Sequence, residues 1–348
     1  MNFNFTAKLK KIEDVLITFL DSNYSDSWKN ATFSSLSPSV GSVHFDQLVQ
    51  PCKNLVSLGG KRWRPLFMVL CSELSSSPAA IELAYQLTPL VEMVHTASLI
   101  HDDIEDGADM RRGKPACHIT YGLDCAINAG SWLYFDAFSA IDKNVTDEKL
   151  KNEFYSLLAL QLRRLHLGQA MDIYWHRNPT ILPSHDEYSA MVRLKTGTLA
   201  SLSAQAGLLC SSSSKDEMEY IGNLASQIGE GFQVLDDIIN ITTGNVGKKR
   251  GDDIVEGKKS LPVIFHLEEK PSDKNRLFCD FETASKDGID SPCVEDAISM
   301  LLSSQCIPRA KKYAEELISD SCKKIRQRYN DCETSLQIEQ LFISMLKI

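Results

Sequence analysis

Apolar residues recur at helical spacing along most of the chain. Ile12, Val15, Leu16 and Phe19 fall on one face of a helix, and similar patterns follow nearly to the C-terminus. Sustained alternation of apolar and polar residues, which would indicate strands, is hard to find. Polar stretches rich in serine and proline separate the periodic segments, for example at 34–40, 177–185 and 211–216. The pattern predicts an all-α protein with about a dozen helices.

One segment, from Ile81 to Leu99, is apolar on more than one helical face. A helix of this kind is buried on several sides, so the segment is expected at the centre of the fold. Pro89 lies inside it and predicts a kink, because proline removes a helical hydrogen bond and clashes with the preceding turn.

Composition narrows the class of protein further. The chain has 348 residues, 43% of them hydrophobic, and a net charge of -9, which argues against a nucleic-acid partner. Ten cysteines are too dilute for a disulfide scaffold and show no zinc-ligand spacing, so we expect reduced thiols in a cytoplasmic protein. No apolar run is long enough for a transmembrane helix, and the N-terminus does not have the pattern of a signal peptide.

The stretch "IHDDIED" at 100–106 places four acids directly behind an apolar run. Asp102 and Asp106 are four residues apart and share a helical face, with Asp103 beside them. Like charges at this spacing destabilise a helix unless a cation lies between them. Carboxylate oxygens are the ligands that Mg²⁺ selects, although a solvated acidic helix end is the alternative for a single cluster.

A second cluster favours the metal interpretation. In "GEGFQVLDDIIN", Asp236, Asp237 and Asn240 repeat the same spacing behind another apolar run. Two such clusters about 130 residues apart suggest two helices that face a cavity and hold several Mg²⁺ ions around one polyphosphate.

Basic residues alternate with the acidic clusters. "GGKRWRP" contains Lys61, Arg62 and Arg64 at a predicted helix start, where backbone amides also attract anions. Arg111 and Arg112 follow the first acidic cluster. Adjacent arginines can bind diphosphate oxygens through paired hydrogen bonds, whereas any one basic pair alone would be read as solvated surface.

Taken together, the motifs resemble those of the trans-isoprenyl diphosphate synthases, also called polyprenyl synthetases. From about 55 to 267, six motifs occur in the family order: "GGKRWRP", "HTASLIHDDIEDGADMRRGKPACH", "GQAMD", "KTGTL", "GEGFQVLDDIIN" and "GKKRGDDIVEGKKSLP". The resemblance implies a single all-α domain over 1–348, with antiparallel helices around a deep central cavity, and a homodimer. It also implies a prenyltransferase that joins isopentenyl diphosphate to an allylic diphosphate.

The resemblance assigns roles to residues of both acidic clusters. It implies that Asp102 and Asp106 coordinate two Mg²⁺ ions and Asp236 a third, with Asp103 and Asn240 as further candidate ligands. These ions, with Arg111, would neutralise the departing diphosphate so that an allylic cation forms. Asn240 departs from the family, which commonly has aspartate there, so metal affinity is expected to be weaker.

The remaining predicted site residues bind the two substrates. The resemblance places Lys195, Thr196, Gln233, Lys248 and Lys258 near the allylic diphosphate and the cation. Isopentenyl diphosphate would be held by the other basic positions, which are Lys61, Arg64, His95 and Arg112.

Product length depends on side chains one or more turns before the first aspartate. One isoprene unit is about as long as one helical turn, roughly 5 Å, so side-chain size acts as a ruler. Ala97 and Ser98 are small and predict an open cavity past fifteen carbons, closed deeper by Met93, Val94 or the aromatic run at 132–135. We therefore expect geranylgeranyl diphosphate or a longer product, with farnesyl diphosphate as the alternative.

Two alternatives of other classes stay open at this stage. A class I terpene cyclase would need a glutamate eight residues after Asp236, where this chain has Gly244, and would have no use for a second set of basic residues. A non-catalytic subunit that tunes a synthase partner would be expected to lose metal or substrate ligands, and only Asn240 deviates.

Overall fold

The computed structural model describes residues 3–21, 23–75, 77–244 and 249–346. Nearly all regular structure in these ranges is α-helical, which confirms the predicted fold class. The helices are α1 (Thr6–Phe19), α2 (Asp26–Phe33), α3 (Ser42–Ser57), α4 (Trp63–Glu73), α5 (Pro78–Gln86), α6 (Pro89–Glu105), α7 (Cys117–Tyr121), α8 (Leu123–Asp136), α9 (Ser139–Asn144), α10 (Glu148–Arg177), α11 (His185–Val192), α12 (Thr198–Cys210), α13 (Lys215–Thr242), α14 (Asp252–Val255), α15 (Leu261–Glu269), α16 (Lys274–Asp287), α17 (Pro292–Leu302), α18 (Cys306–Arg328) and α19 (Glu333–Met345).

The helices are more numerous than predicted, because short ones such as α7, α9 and α14 carry too few residues for a periodic pattern. The predicted connectors do separate helices: α2 ends before 34–40, α10 ends at Arg177, and α12 and α13 flank 211–214. A π-helix at Arg193–Gly197 and a 3₁₀ turn at Pro271–Asp273 complete the helical elements of the described ranges.

The predicted kink at Pro89 is wrong. The segment from Ile81 to Leu99 forms two helices, because α5 ends at Gln86 and α6 begins at Pro89 itself. Proline is well suited to the first position of a helix, where its missing N–H would have had no helical partner. Burial is as expected, since Leu90, Val91, Met93 and Val94 are all at most 1% exposed.

A two-stranded hairpin follows α6. Its strands are β1 (Met110–Arg111) and β2 (Lys114–Pro115), paired antiparallel with Arg111 opposite Lys114. The two turn residues, Arg112 and Gly113, have φ values of +52° and +74°, as a type I′ turn requires. The turn therefore fixes the backbone of two adjacent arginines.

The chain divides into two units. The first comprises Met1–Gln161, Ser201–Gly222 and Arg326–Leu341, and the second comprises Leu162–Ala200, Asn223–Ile325 and Phe342–Ile348. In the first unit, α6 packs along α8, and α3 packs on α8 as well. In the second, α16 packs on α14 and α17. The single domain expected from the sequence stays a prediction.

Each unit has its own apolar core. Phe67, Met68 and Leu70 on α4 are fully buried in the first unit, and Phe281 on α16 and Ile298 on α17 are at most 2% exposed in the second. Among the described residues, no helix is both long and apolar enough to cross a lipid bilayer.

Candidate active site

The acidic end of α6 concentrates negative charge where the helix is already negative. Asp102, Asp103 and Glu105 occupy the last turn, Asp106 caps it, and the turn contains no basic residue. Helix C-termini carry a partial negative charge, so carboxylates there are unfavourable unless cations approach. Asp102 is partly exposed, with 20% of its side chain accessible, whereas Asp103 is completely buried.

Arg111 of the hairpin supplies one such cation. Its Nε donates to Asp103 Oδ1 at 2.7 Å, its Nη2 also bonds that oxygen, and Nη2 lies 3.7 Å from Asp102 Oδ2. Burial disfavours the charge of the guanidinium, but the hydrogen bonds and charge of Asp103 outweigh this and raise the pKa of Arg111. Asp103 thus fixes Arg111 against the acidic helix end.

A cationic cavity lies in the same unit. It has a volume of about 230 Å³ and is lined by Gly60, Lys61, Arg62, Trp63, Arg64, Glu92, His95 and Arg112. The four residues that the sequence predicted for one diphosphate therefore meet in a single cavity. Their side chains come from the start of α4, the middle of α6 and the hairpin.

The cavity is poised for an anion. Burial lowers the pKa of Arg64 to about 10 and also lowers that of Arg112, and each arginine lies within the field of other cations. Burial, and then the charge of Arg64, hold the pKa of His95 well below 6.5, so its imidazole is neutral at pH 7. Arg64 Nη1 lies 3.4 Å from His95 Nε2, where a neutral ring accepts a hydrogen bond.

Arg62 anchors the wall of this cavity. Its side chain is 3% exposed; Nε donates to Glu13 Oε2 at 2.9 Å and Nη1 donates to Glu92 Oε1 at 2.6 Å. Nη2 donates to the carbonyl of Val56 at 2.5 Å. These contacts hold Arg62 in a left-handed conformation, φ +47°, which a side chain other than glycine rarely adopts. The left-handed residue immediately precedes α4, so it sets the backbone path between Lys61 and Arg64.

Gly60 is required beside it. Its φ is +154°, and a Cβ there would lie 3.2 Å from Nη2 of Arg112. Arg112 in turn donates to the carbonyls of Gly59 and, at 3.2 Å, Leu55, at the end of α3. Absence of a side chain at Gly60 therefore lets the Arg112 guanidinium enter the cavity wall.

In the second unit, the π-helix carries two predicted site residues. Lys195 Nζ donates to Asp172 Oδ2 at 2.7 Å, and Thr196 Oγ1 donates to Gln233 Oε1 at 2.9 Å. Single-turn π-helices inside α-helical runs are frequent at functional sites. Close packing on Gly168 holds the π-helix, because a Cβ on that glycine would lie 2.4 Å from the backbone nitrogen of Lys195.

In the second acidic cluster, as in the first, one aspartate is accessible to solvent and the next is buried and hydrogen-bonded. Asp236 is exposed, whereas Asp237 is 5% exposed and accepts from Tyr188 OH at 2.7 Å and from Gln233 Nε2 at 3.0 Å. Burial raises the pKa of Asp237 to about 6, against the opposing effect of these hydrogen bonds. Asp237 thereby orients Gln233, and through it Thr196.

The segment after α13 carries Lys258. Its Nζ pairs with Asp253 Oδ1 at 3.8 Å and with Glu256. Asn240 is 2% exposed, and its Oδ1 accepts from the backbone N–H of Asp253 at 3.2 Å. The predicted substrate residue Lys248 lies outside the described residues.

Comparison with known proteins identifies the family. The polyprenyl synthetase family model matches residues 45–293. A short chain isoprenyl diphosphate synthase of Methanocaldococcus jannaschii is 34% identical over 258 residues, which cover 74% of this chain and 76% of that protein. The chain belongs to the polyprenyl synthetase family. This confirms the resemblance of its motifs and makes the protein a trans-isoprenyl diphosphate synthase, a prenyltransferase.

Two further proteins, one matched by sequence and one by structure, support the same family. A geranylgeranyl diphosphate synthase of Saccharolobus solfataricus is 33% identical over 243 residues, covering 67% of this chain and 70% of that protein. The solved geranylgeranyl pyrophosphate synthetase of the archaeon Geoglobus acetivorans has a TM-score of 0.81 at 25% identity, and the match covers 99% of this chain and all of that one. The synthase fold therefore extends over nearly the whole length of this chain.

Several contacts of this synthase were not foreseen from its sequence. Glu13, Glu92, Asp172, Tyr188 and Asp237 each bond a predicted site residue or one of its neighbours. Asp172 ends the quoted motif "GQAMD", which was a usable signal, and Asp237 sits inside the second acidic cluster. Glu13, Glu92 and Tyr188 stand outside the quoted motifs and gave no signal.

The ruler residues are placed as follows. Met93, Val94 and Ala97 are buried on α6, and Ser98 is partly exposed, with its hydroxyl donating to the His95 carbonyl at 2.8 Å. In the aromatic run, Tyr134 is buried and stacks on His101 at 5.6 Å between ring centroids. Phe135 is 73% exposed, so this residue does not close an internal cavity as the sequence allowed.

Proposed function

We propose that this synthase condenses isopentenyl diphosphate with an allylic diphosphate to form geranylgeranyl diphosphate or a longer trans-prenyl chain. The observation that carries the proposal is the cavity that gathers Lys61, Arg64, His95 and Arg112. The acidic end of α6 lies in the same unit. One unit thus offers a metal-independent anion pocket and an oxygen-rich surface for a metal-bound diphosphate.

The cationic cavity suits isopentenyl diphosphate. Guanidinium groups bind phosphate oxygens bidentately, and Arg64 and Arg112 line the same cavity. Burial lowers the pKa of both arginines although the charge of Glu92 opposes this, so a bound anion would further stabilise their charged forms. Because His95 Nε2 faces Arg64, its proton belongs on Nδ1, which makes the ring a neutral donor. Bound diphosphate would relieve the repulsion among these groups and hold the acceptor for attack.

The acidic end of α6 fits Mg²⁺. Asp102 and Asp106 are hard oxygen donors one helical turn apart, and both are partly exposed. The described ranges contain no group of three or more His, Cys, Asp or Glu side chains that could hold a metal ion. Mg²⁺ usually takes one or two carboxylates and completes its shell with water and phosphate oxygens. When bound, Mg²⁺ supplies Lewis-acid stabilisation of the leaving diphosphate.

The protein's own groups complete the charge stabilisation. Arg111, fixed by Asp103, presents a guanidinium beside Asp102 where the leaving diphosphate gains charge. We propose the same function for Lys195 and Lys258 in the second unit, with Asp236 as a further metal ligand. The number of three ions, and the ligand role of Asp103, stay predictions.

Product length follows the ruler. Ala97 is completely buried on α6, with Met93 and Val94 buried one turn before it. A small residue at this level leaves room past fifteen carbons, so we propose a twenty-carbon or longer product, with farnesyl diphosphate as the alternative. The Saccharolobus solfataricus relative, a geranylgeranyl diphosphate synthase, supports this choice.

The test is an incubation of purified protein with labelled isopentenyl diphosphate, Mg²⁺ and dimethylallyl, geranyl or farnesyl diphosphate. We expect chains of twenty carbons or more, at least hundredfold slower in Asp102→Ala. Glu105→Gln is the matched control, since Glu105 lies on the same helical turn but is exposed and lies outside the predicted ligand set. A fifteen-carbon product would refute the ruler, and no product with any primer would favour the partner-subunit alternative.

We also propose a homodimer. Leu123, Ile127 and Phe135 are 54%, 44% and 73% exposed and recur along α8 at helical spacing, so they form one apolar stripe. Sedimentation of wild type and Phe135→Glu tests this, because the variant should shift to monomer if the stripe is covered by a second copy. The cytoplasmic location stays a prediction.

A further inference from the structure

Asn240 stands where the family commonly has a metal-binding aspartate, and the structure gives it two contacts of another kind. Its side-chain Oδ1 accepts from the backbone N–H of Asp253 at 3.2 Å, and its own carbonyl accepts from the backbone N–H of Gly251 at 2.9 Å. Both contacts reach the segment 249–258, which follows α13. One residue near the end of α13 therefore fastens the segment at two points.

The first contact fixes which way the side-chain amide points. If the amide were rotated, Nδ2 would face the N–H of Asp253, and two donors repel. Oδ1 must therefore face the segment, and the opposite pole of the amide is an NH₂ group that has no lone pair for a metal. Nδ2 is buried, and it has no hydrogen-bond partner among the described residues.

The remaining lone pair of Oδ1 is poorly placed for Mg²⁺. The ion requires near-octahedral space at about 2.1 Å from each oxygen. Asn240 as a whole is 2% exposed, whereas Asp236, one turn earlier on α13, is exposed. The structure thus separates an accessible carboxylate from a buried amide within a single motif.

We propose that Asn240 is a positioning residue, which holds the segment 249–258 so that Lys258 is correctly placed for the allylic diphosphate, and that it is not a metal ligand. The placement of Lys258 rests on the proposed function. The segment needs such an anchor because glycines with positive φ flank its short helix α14: Gly251 at +90° and Gly257 at +74°. Lys258 also pairs with Asp253, whose N–H is the one Asn240 binds.

A neutral residue at 240 is favoured by its neighbours on α13. Asp236 and Asp237 lie four and three residues earlier, so a carboxylate at 240 would add a third negative charge on adjoining turns. Asp237 is itself buried, with 5% of the residue exposed. An amide retains the acceptor that the segment needs without a second buried charge.

The decisive experiment uses metal-free, substrate-free protein. Hydrogen–deuterium exchange of residues 249–258 is compared among wild type, Asn240→Ala, Asn240→Asp and Thr242→Ala. Thr242 is the matched control, because it lies on the same turn of α13 and its hydroxyl donates to the Ile238 carbonyl within that helix. We expect at least tenfold faster exchange at Asp253 in Asn240→Ala, and exchange within threefold of wild type in Asn240→Asp and Thr242→Ala.

The second measurement is a titration of activity with Mg²⁺, which gives the Mg²⁺ concentration at half-maximal activity (the Mg²⁺ midpoint). If Asn240 anchors the segment, Asn240→Ala should lower kcat at least tenfold with an unchanged Mg²⁺ midpoint. Asn240→Asp should keep that midpoint within threefold of the wild-type value. Unchanged exchange in Asn240→Ala would overturn the anchor, and a tenfold lower Mg²⁺ midpoint in Asn240→Asp would restore the ligand role. If Asn240→Ala does not fold, Asn240→Leu replaces it, since leucine has a similar shape and no acceptor.

The two proposals fail in different ways. If no primer yields product, the proposed function is refuted, whereas exchange in the metal-free protein still reports on the anchor. If product forms normally and the segment is unprotected in every variant, only the anchor is refuted.

Discussion

Among the described residues that line the cationic cavity, Glu92 is the acidic one. Removal of its charge should lower the stability of the fold and raise the affinity for an anionic ligand. Its Oε1 lies 2.6 Å from Arg62 Nη1, and the two side chains are 4% and 3% exposed. Glu92→Gln keeps the shape and one acceptor oxygen and removes only the charge. The variant therefore tests electrostatics with little change in packing.

The loss of stability is limited by a second partner of Arg62. Breaking a buried ion pair from one side typically costs about 3–5 kcal/mol. Here glutamine still accepts a hydrogen bond, and Glu13 still binds Arg62 through two nitrogens, so we expect about 2 kcal/mol. For 348 residues the unfolding entropy corresponds to about 0.7 kcal/mol per degree, so Tm should fall by about 3 °C.

The gain in affinity follows from the size of the cavity. A volume of 230 Å³ corresponds to a diameter of about 8 Å, so a wall charge and a bound anion lie within that distance. Unit charges about 8 Å apart interact by about 0.5 kcal/mol in water and about 2 kcal/mol at an effective dielectric of 20. Removal of the Glu92 charge should therefore tighten isopentenyl diphosphate binding by about 1 kcal/mol, or about fivefold.

The assay is titration calorimetry with isopentenyl diphosphate without Mg²⁺, in 20 mM and 500 mM salt, alongside thermal unfolding. The fivefold gain should shrink at high salt. Glu13→Gln is the control, because Glu13 also pairs with Arg62. The Glu13 side chain is 33% exposed and does not line the cavity, so this substitution should leave the affinity for isopentenyl diphosphate unchanged. Weaker binding by Glu92→Gln, or an unchanged Tm, would refute the reasoning.

Three further predictions concern single contacts. Gly168→Ala places a Cβ 2.4 Å from the Lys195 nitrogen, so kcat should fall at least tenfold while circular dichroism stays that of a helical fold. Stability should decline as pH falls below about 6.5, because the pKa of His95 is depressed in the folded protein and the unfolded chain binds the proton first. In His95→Gln, Tm should therefore change less between pH 6.5 and pH 5 than it does in the wild type. Asp103→Asn should lower kcat about a hundredfold by releasing Arg111, with a small change in isopentenyl diphosphate affinity.

Each of these has a clear contrary result. Full activity of Gly168→Ala would mean that the π-helix tolerates displacement, with Ala170→Gly as the control on the same helix. An identical pH profile in His95→Gln would assign the acid sensitivity to other groups. Loss of isopentenyl diphosphate binding in Asp103→Asn, equal to the loss in kcat, would place Arg111 in the acceptor site.

The helical fold could be predicted because periodicity and connectors are local features. The break before Pro89 could not, since Leu87 and Leu90 are both buried and the apolar pattern runs on across the helix boundary. A proline inside such a pattern is compatible with a kink or with a new helix. Only the packing of α5 and α6 decides between them.

The residues of the site that bind ligands could be predicted from the sequence. The contacts between side chains that hold the site together could not. Asp102, Asp106 and Asp236 are conspicuous because helical spacing alone brings carboxylates onto one face. Arg62 and Glu13 are 49 residues apart, and Tyr188 and Asp237 are also 49 apart. No local pattern reports such a contact, so the residues that hold the site together emerge only from the folded chain.

Both acidic clusters solve the same geometrical problem in the same way. Neighbouring residues on a helix point about 100° apart, so when the first aspartate of a pair is accessible the second turns toward the interior. A buried carboxylate is unfavourable unless it is hydrogen-bonded, and each cluster meets this need with a group of the site: Arg111 for Asp103, and Gln233 with Tyr188 for Asp237. Neutralising the first aspartate of a pair should therefore have a different effect from neutralising the second. Loss of the first should change the Mg²⁺ dependence of the reaction, whereas loss of the second should change the orientation of a neighbouring side chain: Arg111 in the first cluster and Gln233 in the second.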